Sequence, residues 1–65
     1  MEKFVWSINK EIKIRVSAVR QFEVVKATPD DHVVLAYGHF GKPVALYTSE
    51  SVEACIIFID LLTEK

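Results

Sequence analysis

Ser49-Glu50-Ser51-Val52-Glu53-Ala54-Cys55-Ile56-Ile57-Phe58-Ile59-Asp60-Leu61-Leu62-Thr63 is where the apolar residues of this chain stop alternating and begin to recur at helical spacing. Thr48 and Ser49 offer N-cap oxygens, and Glu50 and Glu53 fall in the first turn, where the helix dipole favours anions. The pattern predicts a helix from about Glu50 to Leu62 or Thr63. On a helical wheel Glu53, Asp60 and Glu64 form one narrow polar stripe. Leu61, Ala54, Phe58, Leu62, Cys55, Ile59, Val52 and Ile56 span an arc of about 220°, twice the apolar width a surface helix needs. Ile57 lies outside that arc, beside the acidic stripe. The expectation is that Cys55, Ile56, Ile59 and Leu62 face the chain's own sheet, and that Ile57, Phe58 and Leu61 face a subunit or partner.

Working back from the helix, period two prevails. Val44 to Tyr47 reads as a strand, and Val33 to Tyr37, apolar on both faces except for the phenol, reads as a central one. Gly38-His39-Phe40-Gly41-Lys42-Pro43 joins them as a hairpin connection, and Thr28-Pro29-Asp30-Asp31-His32 is a loop. Ile12, Ile14, Val16 and Ala18 alternate with Lys13, Arg15 and Ser17, giving an apolar and a basic-polar face. Arg20 to Ala27 continues extended, so 12–27 is one bent strand or two, with a bulge near Ser17–Val19. Phe4 to Ile8 is a first strand, and Asn9-Lys10-Glu11 turns the chain, Asn being tolerant of left-handed backbone. The expected architecture is α+β: an antiparallel meander of three to five strands within about 3–47, a helix of about 50–63 across one face, and one small domain over 1–65.

Size and composition narrow the function. The chain has 65 residues, of which 51% are hydrophobic and 26% charged, a globular composition. Eight basic and nine acidic side chains leave a net charge of −1, which argues against a strongly cationic nucleic-acid or membrane-surface binder. The single cysteine cannot close an intrachain disulfide, which fits a reducing, cytoplasmic setting. Neither a secretory leader nor a membrane span is expected, because the longest apolar run, Ala54 to Ile59, is far too short. A core in a chain this short rarely supplies more than about 3–5 kcal/mol, so a homo-oligomer, most simply a dimer, is expected.

Charge is divided along the chain. Residues 1–29 hold six basic and three acidic side chains, net +3; residues 30–65 hold two basic and six acidic, net −4. Lys13, Arg15, Arg20 and Lys26 are therefore the candidates for a small anionic ligand. With Trp6 or Phe40 as a stacking platform, Lys13, Arg15 and Lys26 could hold single-stranded nucleic acid, the less favoured alternative. Phe40, between two glycines, is either an exposed interface anchor or a cap folded back on Trp6 or Tyr47. Asp30, Asp31, His32, His39 and Cys55 lack metal-ligand spacing, so no metal or other cofactor is expected. Cys55 lies in the apolar arc rather than at a helix start, and Gly38 to Gly41 has no helix behind it to bind phosphate. No catalytic residue is nominated and no enzyme activity is expected.

Residues 37–54, from Tyr37-Gly38-His39 through Tyr47-Thr48-Ser49 to Glu53-Ala54, together with Ile14-Arg15-Val16-Ser17-Ala18-Val19 and Phe22, resemble the layout of small uncharacterised β-β-β-α proteins of Gram-positive bacteria and their phages. The resemblance covers most of 12–64 and rests on layout rather than on a motif. It implies a small phage or prophage accessory protein and brings no catalytic or cofactor residues. The helix departs from that style, carrying Ile56, Ile57 and Phe58 where a charged solvent face is usual. The combined expectation is a non-enzymatic, homo-oligomeric protein-interaction or regulatory module acting on an unidentified protein.

Overall fold

The computed structural model describes residues 3–64; Met1, Glu2 and Lys65, counted above in the domain and charge readings, lie outside them. Five strands and one helix follow in order: β1 (Phe4–Trp6), β2 (Lys13–Arg15), β3 (Val19–Lys26), β4 (His32–Gly38), β5 (Val44–Ser49) and α1 (Val52–Thr63). The class is α+β, with antiparallel strands and a C-terminal helix packed on the sheet, as the change of period requires. The strands do not form one continuous meander. β1 and β2 make a separate two-stranded ribbon, while β3, β4 and β5 form a three-stranded sheet with β4 at its centre.

The 12–27 stretch is two strands. A single 3-10 turn, Val16–Ala18, separates β2 from β3 and carries the chain from ribbon to sheet. The irregularity in the β3–β4 ladder falls between Val19 and Gln21, slightly beyond the expected place. A second one lies between Val34 and Leu35 opposite β5, where Leu46 is the extra residue and Tyr47, one position on, comes opposite buried Val34. The loop from Ala27 to Asp31 is closed by Thr28, whose Oγ1 accepts the Asp30 and Asp31 N–H groups at 3.3 and 3.0 Å.

The core is thin. Ile14, Val34, Ala36, Val44, Leu46 and Cys55 are its buried apolar residues, and the largest fully buried side chains are only Val34 and Cys55. Val5, Val19, Phe22, Phe40, Phe58 and Leu62 close around the cluster of Ile14, Ala36, Val44 and Leu46. Helix and ribbon thus share one face of the three-stranded sheet, with Val5 and Ile14, directly paired across β1–β2, pointing inward.

The helix starts two residues later than the first-turn acids suggested. Ser51 is the N-cap: its Oγ accepts the Ala54 N–H at 3.3 Å, while Ser49 Oγ accepts the Ser51 N–H at 3.1 Å. Glu50 is therefore outside the helix and only Glu53 lies in the first turn. No basic residue occupies its last turn; Lys3 serves instead, donating from Nζ to the carbonyls of Leu61 and Glu64 at 3.3 and 3.1 Å. A cation at the carboxyl end of a helix satisfies orphan carbonyls and complements the dipole. No described helix is long and apolar enough to cross a membrane.

Candidate interaction surface

Among the described residues two apolar surfaces lie on the outside of this fold. On α1, Val52, Ile56, Ile57 and Leu61 are exposed. On the ribbon, Phe4, Trp6, Ile8 and Ile12 are exposed. These eight large side chains keep between 41% and 61% of their surface in solvent, more residues than the buried core contains.

The helix surface differs from the expected one at two positions. Phe58 turns inward, against the cluster of core residues, and lies on Tyr47. Ile56, expected against the sheet, is 47% exposed, whereas Cys55 is fully buried and Leu62 packs on the core. The cause is rotational. Successive residues differ by about 100°, so centring the buried face on Cys55 and Leu62 brings Phe58 in and swings Ile56 out. Ile57 and Leu61, at 57% and 61%, are the most exposed of the apolar side chains. The acidic stripe of Glu53, Asp60 and Glu64 runs between the Val52/Ile56 flank and the Ile57/Leu61 flank.

The ribbon surface is held out by a tied loop. Ser7, 7% exposed, donates from Oγ to Asn9 Oδ1 at 2.6 Å and accepts the Ile12 N–H at 3.1 Å. Asn9 Oδ1 also accepts the Glu11 N–H at 3.1 Å. Ser7 N–H donates to the Ile12 carbonyl at 2.7 Å, and Ile8 N–H donates to the Ala45 carbonyl on β5 at 3.0 Å. The left-handed residue is Lys10, φ 62°, rather than Asn9, whose side chain is committed to the turn. This network fixes Ile8 and Ile12 on either side of the turn. Between them and the 40–45 segment opens an apolar groove of about 860 Å³, walled by Ile8, Ile12, Phe40 and Pro43, with Lys42 and Asn9 among its lining residues.

Phe40 is one wall of that groove and not a projecting anchor. It folds back, though not onto Trp6 or Tyr47: its ring approaches Gly38 and packs on the core cluster. Of the basic candidates, the structure unites Lys13 and Arg15. On β2 they flank Ile14 and share the outer ribbon face with Phe4 and Trp6. Lys13 Nζ lies 5.1 Å from the Phe4 ring centre and 5.7 Å from that of Trp6, and the Arg15 guanidinium carbon lies 5.9 Å from Phe4. Arg20 and Lys26 are on the other sheet, near the two ends of β3 and about 20 Å apart at strand spacing. Phe4 was missed in the sequence; its register opposite Arg15 makes it the partner of the basic pair.

The metal candidates are dispersed. His32 opens β4 and His39 follows its last residue, about 23 Å away at strand spacing, while Cys55 is enclosed in α1. Among the described residues no group of three or more His, Cys, Asp or Glu side chains could hold a metal ion. Comparisons with protein-family models, curated proteins and solved structures give no match to this chain.

Proposed function

We propose that this chain is a non-catalytic interaction module that works as a homo-oligomer, most simply a dimer, and through that assembly acts on another protein. The observation that carries this reading is the inverted apolar distribution: eight large side chains outside against a core whose largest fully enclosed members are Val34 and Cys55. The accessible surface is 4778 Å², where a monomer of 7.4 kDa is expected to expose about 4200 Å². Large apolar side chains grouped on the outside of a small domain are a feature of recognition surfaces.

A native mass spectrum and sedimentation across a concentration series test the reading. Wild type is expected at a multiple of 7.4 kDa, and Ile57→Ser with Leu61→Ser is expected at monomer mass with an unchanged circular dichroism spectrum. A wild-type monomer at every concentration would sink it.

A second reading is supported by Phe4, Trp6, Lys13 and Arg15 on one face of the ribbon. Aromatic rings beside cations suit stacked bases and a phosphate backbone, hence single-stranded nucleic acid or a smaller anionic aromatic ligand. It predicts quenching of Trp6 fluorescence by oligothymidylate, with affinity falling steeply as salt rises.

A further inference from the structure

We infer that the free edge of β3 pairs antiparallel with the same edge of a second copy, joining two three-stranded sheets into one of six strands. This rests on the homo-oligomeric reading above and supplies the backbone part of the contact between copies.

Among the described residues β3 is the longest strand, eight residues, and β4 is its one neighbour in the sheet. Two observations give the phase of its hydrogen bonds. At one end Ala27 N–H donates to the Asp31 carbonyl at 2.9 Å. The pairs in step with it, Val25–Val33, Glu23–Leu35 and Gln21–Tyr37, are therefore the hydrogen-bonded ones. Across β4, the Ala45 carbonyl accepts the Ile8 N–H and so faces away from the sheet. Leu35 opposite Ala45 is then outside the β4–β5 hydrogen bonds and turns its own groups to Glu23, which is the same phase. Phe22, Val24 and Lys26 thus aim N–H and C=O away from β4, and no described residue pairs with them. The other edge of the sheet is different, since Ile8 of the ribbon is tied to β5 there.

A row of alternate unpaired backbone groups is matched by another strand. The row on β3 matches itself. A twofold axis normal to the sheet at Val24 sets Val24 on Val24 and Phe22 on Lys26 in both directions, so all three residues gain hydrogen-bonded partners. Exposed Arg20 then lies level with Thr28 of the second copy, in the turn that carries Asp30 and Asp31, and no like charges stand directly opposite. Neighbouring registers are worse. Moving the axis to Glu23 sets Glu23 on Glu23 and Lys26 on Arg20; moving it to Val25 leaves Phe22 opposite Thr28, outside the strand. Because the axis is normal to the sheet, both α1 helices lie on the same side of the joined sheet.

Amide exchange of the wild type is the test, followed by NMR at concentrations below and above the association midpoint found by sedimentation. On assembly the Phe22, Val24 and Lys26 amides are expected to slow by about tenfold or more, while those of Gln21, Glu23 and Val25, bonded to β4, are protected at both concentrations. Lys26→Pro removes one outward amide at an exposed position and leaves the β3–β4 ladder whole. It is expected to weaken self-association by about thirtyfold, two backbone hydrogen bonds being lost per dimer, whereas Lys26→Ala should associate like wild type. Should Lys26→Pro fail to fold, the wild-type exchange pattern decides. If the chain self-associates with no change in the three outward amides, or if Lys26→Ala weakens association as much as Lys26→Pro, the edge is not the contact: the inference is overturned while the homo-oligomeric reading stands. If wild type never exceeds monomer mass, both fall together.

Discussion

The Phe58 ring lies flat on that of Tyr47, with centroids 4.6 Å apart and planes 5° from parallel. This stack links helix to β5 and, together with buried Cys55 and the packing of Leu62, fixes the rotation of α1. With Phe58 inward, Ile57 one residue earlier points about 100° away and into solvent. Truncation of either ring should therefore cost the monomer its stability. Phe58→Ala is expected to lose about 2–3 kcal/mol, below the ~3–5 of a fully enclosed ring because Phe58 is only half-buried. Urea unfolding of Phe58→Ala, Tyr47→Ala and the double variant should give a coupling of about 0.5–1.5 kcal/mol for the pair. An unchanged midpoint for Phe58→Ala, with self-association lost, would return Phe58 to the partner surface.

Ser51 should matter more to the helix than either residue the sequence offered first. Its Oγ accepts the third helical N–H, whereas Ser49 supports the cap by binding the Ser51 amide. Ser51→Ala is expected to cost about 1 kcal/mol, Ser49→Ala less, and Thr48→Ala close to nothing. Chemical unfolding of the three variants ranks them. A larger loss for Thr48→Ala would place the cap elsewhere.

Period explains which features could be read without the structure. β3, β4 and β5 are short runs rich in Val and aromatic residues bounded by turn residues, and α1 changes to helical spacing, so element type and order followed from the residue pattern. Periodicity tells which residues share a face but not which face is inside. On β1 the smaller Val5 goes in, paired with Ile14, while Phe4 and Trp6 go out beside Lys13 and Arg15. On α1 the apolar arc was too wide to have a centre, and the packing of Cys55, Leu62 and Phe58 on the sheet supplied one. The groove was not legible either. It needs the Ile8 amide on the Ala45 carbonyl, a contact that joins residues 37 positions apart and leaves no local pattern. The basic pair was half legible: Lys13 and Arg15 share a face by spacing, but the aromatics beside them depend on the ribbon's register.

Tyr37 should carry an alkaline signature. On the outer face of the three-stranded sheet its Oη donates to Glu23 Oε1 at 2.7 Å. That hydrogen bond, then partial loss of solvent, then the carboxylate charge raise the phenol above its ordinary 10.0. The neutral phenol is thus favoured by the folded state. Its contribution is complete below pH 10.0 and is lost as pH rises through the higher folded value. Tyr37→Phe should unfold with a shallower alkaline decline than wild type, and Glu23→Gln should bring the phenol back toward 10.0, followed by ring resonances in an NMR titration. An identical alkaline decline in Tyr37→Phe would show that the pair does not report on folding.

The two glycines of the β4–β5 connection should respond differently to a methyl group, for opposite reasons. Gly41 holds φ +84°, a left-handed conformation, but a Cβ there would meet nothing within 4 Å. Its substitution carries only backbone strain, about 1–2 kcal/mol for Gly41→Ala. Gly38 has ordinary backbone angles and no room: an added Cβ would stand 2.5 Å from the Ala18 carbonyl oxygen and 2.9 Å from Phe40 Cζ. The ring could move, but Ala18 belongs to the turn that carries the chain from ribbon to sheet, and its backbone cannot yield without shifting β3. Gly38→Ala should therefore cost about 3 kcal/mol, the upper end for overpacking, and should displace Phe40 from the groove wall. Unfolding midpoints of the two variants give the comparison. Equal losses of stability would mean that the Ala18 carbonyl has freedom to move, and that the groove is less firmly held than its contacts require.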